Sequence, residues 1–182
     1  LAALSCGVTL GLTLTDCADA LARAHGVKGR IEVVPVPADF TVLIDYAHTP
    51  DALENILTTV RDFTDGRVLC LFGCGGDRDR SKRPQMGAIA GNLADVAVVT
   101  SDNPRTEDPG AIIQDILAGM AGTPAQRHVE PDRRKAIALA LSLAQPGDTV
   151  VLAGKGHETY QEISGVQHHL DEREEIAAWF SK

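Results

Sequence analysis

The sequence predicts an α/β fold: a Rossmann-like, three-layer domain with a mostly parallel sheet, helices on both faces and an antiparallel strand at an edge. Three observations carry this expectation. Short apolar runs of strand length, such as Arg67 to Phe72, alternate with segments whose apolar residues recur at helical spacing. The strand runs are continuous rather than alternating, the mark of strands buried on both faces, as in parallel sheets. A turn-back around Gly165 supplies an antiparallel piece.

In chain order, a first helix is expected from Asp16 to His25, with Thr15 as its N-cap and Gly26 ending it. Ile31 to Val36 and Phe40 to Tyr46 are β-rich runs parted by Pro37, Ala38 and Asp39. Thr49-Pro50 opens a helix whose Leu53, Ile56, Leu57 and Val60 fall at i, i+3, i+4 and i+7, and which ends before Gly66. The strand Arg67 to Phe72 leads through a glycine-rich loop into a helix over Lys82 to Leu93, and Asp95 to Thr100 is the next strand. Asp108-Pro109 starts a helix carrying Ile112, Ile113, Ile116, Leu117 and Met120 on one face, followed by a short extended piece near His128. A helix from Asp132 to Ala144 precedes the strand Thr149 to Ala153, and a last helix begins where Asp171 and Glu174 have capping-box spacing.

The 182 residues allow one domain, or one domain plus a piece of another, at about 100 to 200 residues per domain. A net charge of -8 argues against a nucleic-acid-binding surface, and no apolar run reaches the roughly 18 residues of a membrane span. The chain opens on Leu1 with no basic segment ahead of an apolar core, so its start reads as a cut end rather than a secretory signal. Cys6, Cys17, Cys70 and Cys74 match no zinc spacing and read as buried free thiols of a reducing compartment.

Ligands of open α/β sheets bind beyond the carboxyl ends of the strands. Four strands here end in polar clusters: Asp45-Tyr46-Ala47-His48, Gly73 to Asp79, Asp102-Asn103-Pro104-Arg105 and Gly154-Lys155-Gly156-His157-Glu158. Each alone passes for a capped or rigid turn, but four on one edge point to a shared site. Arg78 and Arg105 suit a carboxylate, which guanidinium grips with two parallel bonds, while Asp102, Asn103 and Glu158 suit an ammonium. Together they describe a pocket for a small zwitterion. No phosphate loop of the G-x-x-x-x-G-K-[ST] type and no clean G-x-G-x-x-G is present, and His168-His169 lacks a third metal ligand and reads as a solvated pair.

In order and spacing, Gly29-Arg30-Ile31-Glu32, Asp45 to Leu53, Phe72 to Asp79, Asp102 to Arg105 and Ala153 to Glu158 resemble the C-terminal domain of the Mur ligases, most closely the branch that adds diaminopimelate. The resemblance covers residues 27–182, with 1–26 similar to the closing helix of that family's central ATPase domain. It implies a three-domain cytoplasmic enzyme of peptidoglycan synthesis that uses ATP and magnesium to activate the glutamate carboxylate of a UDP-N-acetylmuramoyl dipeptide. The amine of meso-diaminopimelate then attacks. By the same resemblance Arg30 meets ATP phosphates, Asp45 holds the ribose, and Tyr46 and His48 line the nucleotide edge. Arg78, Asp102, Asn103, Pro104, Arg105, Gly154 and Glu158 match the positions for the incoming amino acid. Diaminopimelate exceeds lysine by one distal carboxylate, which needs a cationic partner once desolvated, and Arg105 supplies one.

The phosphate loop, metal ligands and modified lysine of that family belong to domains outside this sequence, so these 182 residues alone are expected not to ligate. Two other classes remain open at this stage: a related amide ligase such as a folylpolyglutamate synthetase, and a stand-alone amino-acid-binding module.

Overall fold

The computed structural model describes residues 1–24 and 26–181. Strands β1 (Glu32–Val34), β2 (Thr41–Asp45), β3 (Val68–Phe72), β4 (Val96–Val99), β5 (Gln126–Val129) and β6 (Thr149–Ala153) form one sheet in the order β1-β2-β6-β3-β4-β5. All neighbours in it run parallel except β1, which pairs antiparallel with β2. Strands β7 (Tyr160–Ile163) and β8 (Val166–His169) make a separate antiparallel hairpin. The helices are α1 (Ala2–Thr9), α2 (Leu14–Ala22), α3 (Pro50–Arg61), α4 (Lys82–Leu93), α5 (Pro109–Gly119), α6 (Arg133–Leu143) and α7 (Glu172–Phe180).

Three layers follow from the pleat. Successive residues of a strand point to opposite faces, so Leu43, Cys70, Phe72, Val99 and Val151 pack with α3, α4 and α5, whereas Val42, Ile44, Leu69, Leu71, Val98 and Leu152 pack with α6 and α7. In α3, Thr49 Oγ1 accepts from Ala52 N, Pro50 occupies the first turn, and Leu53, Ile56, Leu57 and Val60 are buried. Each of those side chains contributes about 1.5–3 kcal/mol by leaving water. Burial also pushes the Cys70 thiol up to about 12, which keeps it protonated in the core.

Several expectations shift. Helix α2 is capped by Thr13 rather than Thr15, its Oγ1 accepting from Asp16 N at 3.1 Å, and it ends at Ala22; the expected end at His25 lies outside the described residues. The first strand shortens to Glu32–Val34 because Ile31 adopts a left-handed φ of 43°. The turn at Gly165 closes the β7–β8 hairpin, which meets the rest of the fold through a bridge between Ile163 and Arg105, while the antiparallel edge of the main sheet is β1. Asp171 caps α7 through Arg173 N, but Glu174 turns away from the cap to meet His169 Nε2 at 2.6 Å on the surface, where both side chains stay exposed. Of the four cysteines, Cys6 is exposed.

Arg133, at the start of α6, is fully buried and bonded to the fully buried Glu172 at the start of α7. Its Nη2 also donates to the Ala153 carbonyl at the end of β6, at 2.9 Å. Removing one member of such a pair strands the other in a medium that cannot solvate it. Arg133→Met is therefore expected to cost about 3–5 kcal/mol, read as a drop in the urea midpoint. The Arg133→Met, Glu172→Leu double variant, which carries neither charge, should recover most of that loss.

Candidate functional site

The parallel strands deliver their four loops to one edge, around a cleft of about 310 Å³. Its lining includes Tyr46 and His48 after β2, Gly75 and Arg78 after β3, Asp102, Asn103 and Arg105 after β4, and Gly154 and Glu158 after β6. Pro104 faces a neighbouring cavity on the other side of its loop. Arg30 and Asp45 border an adjacent shallow hollow shared with Tyr46 and His48.

Each loop is held by contacts the sequence only partly announces. Gly76 passes so close to the next loop that a Cβ there would lie 1.9 Å from the Pro104 carbonyl oxygen, which restricts the position to glycine. Asp77 is a tether: its carboxylate accepts from the Thr106 hydroxyl and amide, and its own N–H donates to Glu107 at 2.6 Å. Asp79 caps the turn before α4 through Ser81 N and Oγ. Of the three charges in Asp77-Arg78-Asp79, Arg78 and Asp79 line the cleft, and the Arg78 guanidinium donates to the Asp77 carbonyl at 3.0 Å.

Arg105 adopts a left-handed φ of 52°, costly for a residue with a Cβ. The hairpin holds it there: Arg105 N donates to Glu162 O at 3.1 Å, and Ser164 N donates to Arg105 O at 2.7 Å. Its Nη1 donates to the Gly76 carbonyl at 2.8 Å, and its Nε lies 3.4 Å from the Glu162 carboxylate. Asn103 is fixed at both ends of its amide. Oδ1 accepts from Lys155 Nζ at 3.0 Å and from Glu162 N at 2.9 Å, so Nδ2 is left to donate to Glu158 Oε2 at 2.9 Å. Asp102 is buried, with Oδ1 3.6 Å from Lys155 Nζ. The negative charge of Glu158, together with partial burial, raises the phenol of Tyr160 above its ordinary value.

In the adjacent hollow, Asp45 accepts from Ile31 N and from Ala47 N, both at 2.8 Å, which ties the turn at 29–31 to the end of β2. Each carboxylate oxygen keeps a second lone-pair direction. The Arg30 guanidinium lies 4.4 Å from the centre of the Tyr46 ring, and the rings of His48 and His157 flank Tyr46 at 4.5 and 5.2 Å. Gly29, at φ 73°, rests against the backbone of Gly156 and His157. Among the described residues no group of three or more His, Cys, Asp or Glu is placed to hold a metal ion, and no helix is long and apolar enough to cross a membrane.

Sequence reasoning passed over four residues here. Lys155 sits within a quoted cluster, yet its complete burial left no trace in local pattern. Lys82, which donates to the His48 carbonyl at 2.8 Å and lines the cleft, read as an ordinary residue at a helix start. Glu162 and His157 reach the site through pairings far along the chain.

A mostly parallel sheet flanked by helices, with a charged cleft at its carboxyl edge, places the chain among the α/β domains, and Arg78, Arg105, Asp102, Asn103 and Glu158 line that one cleft. The chain belongs to the family described as Mur ligase, glutamate ligase domain, whose model matches residues 29–156. It is 56% identical over 177 residues to a UDP-N-acetylmuramoyl-L-alanyl-D-glutamate:2,6-diaminopimelate ligase of Thermosynechococcus vestitus, covering 96% of this chain and 35% of that protein. A solved structure of a ligase with the same name superposes with a TM-score of 0.81 at 42% identity, over 98% of this chain and 36% of the other. A bifunctional folylpolyglutamate synthase/dihydrofolate synthase from Yersinia pestis, complexed with AMPPNP and Mn ion, shares the fold at a TM-score of 0.59 and 21% identity, over 81% of this chain and 33% of its own. The chain thus spans about a third of the length of the curated relatives it matches.

Glu107 braces the floor of this region. Bonds from Arg83 and Arg80, with the Asp77 amide, hold its carboxyl down at about 2, below the ordinary 4.5. Folding lowers this value, so the ionised form stabilises the protein fully above 4.5 and the contribution is lost as pH falls from there toward about 2. Thermal melts across that interval should show a steeper acid loss for the wild type than for Glu107→Gln, with the two curves converging at the acid end.

Proposed function

We propose that the chain is the amino-acid-accepting domain of an ATP-dependent ligase that adds meso-diaminopimelate to UDP-N-acetylmuramoyl-L-alanyl-D-glutamate. Residues 27–182 form that domain, and residues 1–26 form the end of a central ATPase domain. The cytoplasmic location of peptidoglycan precursor synthesis goes with this reading. The observation that carries it is the meeting of Arg105 and Arg78 with Asp102, Asn103 and Glu158 in one cleft. The names of relatives about half identical in sequence support the choice of substrate. The exposed Val8, Leu10, Leu12, Leu14 and Leu21 on and between α1 and α2 support a further domain packed there.

In this reading the Arg105 guanidinium takes the distal carboxylate of diaminopimelate, with Arg78 adding positive charge beside it. Asp102 and Glu158 take the ammonium on the same carbon, and the amine at the opposite end of the molecule stays free to attack. Lysine, lacking that carboxylate, leaves Arg105 with only its Gly76 and Glu162 partners, and a site built to bond a group rejects an analogue without it. In the neighbouring hollow Tyr46, His48 and Arg30 offer a stacking surface and a cation for the nucleotide, and the free lone pairs of Asp45 face a ribose hydroxyl. Activation of the glutamate carboxylate as an acyl phosphate by ATP belongs to parts of the ligase outside this chain. Magnesium, the metal expected with ATP, finds no cluster of ligands among the described residues.

Titration calorimetry on the ligase containing this domain tests the assignment. Arg105→Ala is expected to weaken meso-diaminopimelate by about 30-fold or more, the cost of truncating one partner of a buried charge pair, while leaving nucleotide binding unchanged. Undiminished diaminopimelate binding by the variant would refute the role of Arg105. ATP-dependent ligation by the 182 residues alone would refute the division of labour between domains.

A further inference from the structure

Beneath the cleft lies a lysine with no solvent exposure that no ligand in the reading above touches. Lys155 Nζ donates to the Tyr160 carbonyl at 2.6 Å and to Asn103 Oδ1 at 3.0 Å, and it lies 3.3 Å from Glu158 Oε2 and 3.6 Å from Asp102 Oδ1. A buried ammonium is costly unless it is paired and hydrogen-bonded. Anchoring the start of the hairpin needs only the Tyr160 carbonyl. The remaining contacts all go to residues that line the cleft.

The contacts have a direction. Lys155 and the Glu162 amide are both donors, so the Asn103 atom facing them must be the oxygen, and the Asn103 Nδ2 is thereby turned toward Glu158. Glu158 Oε2 is then held twice, by Asn103 and by Lys155, and Oε1 is the oxygen left for the cleft. Charge follows the same pattern: Asp102 and Glu158 bring two negative charges against the one positive charge of Lys155, a sum of -1 for the three groups.

We propose that Lys155 is a positioning residue for the incoming amino acid: it orients Glu158 through Asn103 and trims the Asp102–Glu158 pair to the one negative charge that a single substrate ammonium can neutralise. The proposal rests on the reading of the cleft as the amino-acid site. Without Lys155 two carboxylates would repel across the pocket, and the Asn103 amide would be free to turn its oxygen toward Glu158.

Steady-state kinetics on the ligase containing this domain, with meso-diaminopimelate and ATP varied separately, test it. In Lys155→Met the KM for meso-diaminopimelate is expected to rise about 10-fold or more, as for a lost bond to a charged group, with the KM for ATP within about twofold. Because Lys155 acts through Glu158, the Lys155→Met, Glu158→Gln double variant should lose little beyond Glu158→Gln alone. If thermal melts show Lys155→Met unfolded, Lys155→Gln keeps a donor toward Asn103 while removing the charge, and the same selective rise is expected. Parallel rises in both KM values, or additive losses in the double variant, would reduce Lys155 to a structural residue and overturn the proposal. An unchanged diaminopimelate KM in the Lys155 variants, with Glu158→Gln still impaired, would also overturn it while sparing the amino-acid site. If neither Glu158→Gln nor the Lys155 variants move that KM, the reading of the cleft itself fails.

Discussion

Where parallel strands end and their loops leave in different directions, main-chain carbonyls lose their ladder partners inside the protein, and an unpaired buried carbonyl is costly. A fully buried cation meets this constraint where β6 ends, and a second serves a carbonyl at the start of the separate hairpin. Arg133 takes the carbonyl of Ala153 as β6 ends, and Lys155 takes that of Tyr160 as β7 begins. Each cation brings its own counter-charge: Glu172 for Arg133, and Glu158 with Asp102 for Lys155. The cleft is built on this arrangement, since the charges that complete the backbone's bonding also fix where its acidic side chains stand. Helix α7, which follows the site in sequence, is joined to it through Glu172, and again through Arg173, which pairs with Glu32 and donates to the Gly156 carbonyl at 3.1 Å.

Much of the architecture was legible because its causes are local. Thr49-Pro50, Asp108-Pro109 and Asp132 start their helices where the caps occur, with Asp108 and Asp132 each accepting two backbone N–H bonds. The core strands were found because burial on both faces leaves a continuous apolar run. What escaped depends on distant partners. Nothing in Asp77 itself distinguishes a ligand from a tether until Thr106 and Glu107 arrive from thirty residues on. The hairpin's place could not be read because β7 and β8 satisfy each other and leave the main sheet's edge to β1. The residues that line the cleft were legible as residue types at strand ends; their geometry was not, because contacts such as those of the buried Lys155 arise only in the tertiary fold.

Backbone strain gathers around the same edge. Among the non-glycine residues with left-handed φ, Ile31 precedes the first strand and bonds Asp45, Asp77 closes the glycine loop, and Arg105 ends the loop after β4. Such conformations cost about 1–3 kcal/mol each and persist only where surrounding contacts over-determine them. Here those contacts are visible: a carboxylate bond for Ile31, the Thr106 and Glu107 bonds for Asp77, and two main-chain bonds to the hairpin for Arg105. The stiffness that results holds the charged groups in place before any ligand arrives, which lowers the entropy lost on binding.

The stitching of Arg105 to Glu162 and Ser164 also bears on how the cleft can change through descent or by design. The segment 102–105 is not a portable unit, because its final residue keeps its backbone conformation by borrowing hydrogen bonds from a hairpin nearly sixty positions later. A graft of those four residues into a related domain with a differently shaped hairpin would carry the letters without the posture. Conversely, an insertion near Gly165 would shift the backbone of Arg105 while every residue lining the cleft stayed the same. The posture of Arg105 is written in two places, and one of them looks like ordinary surface.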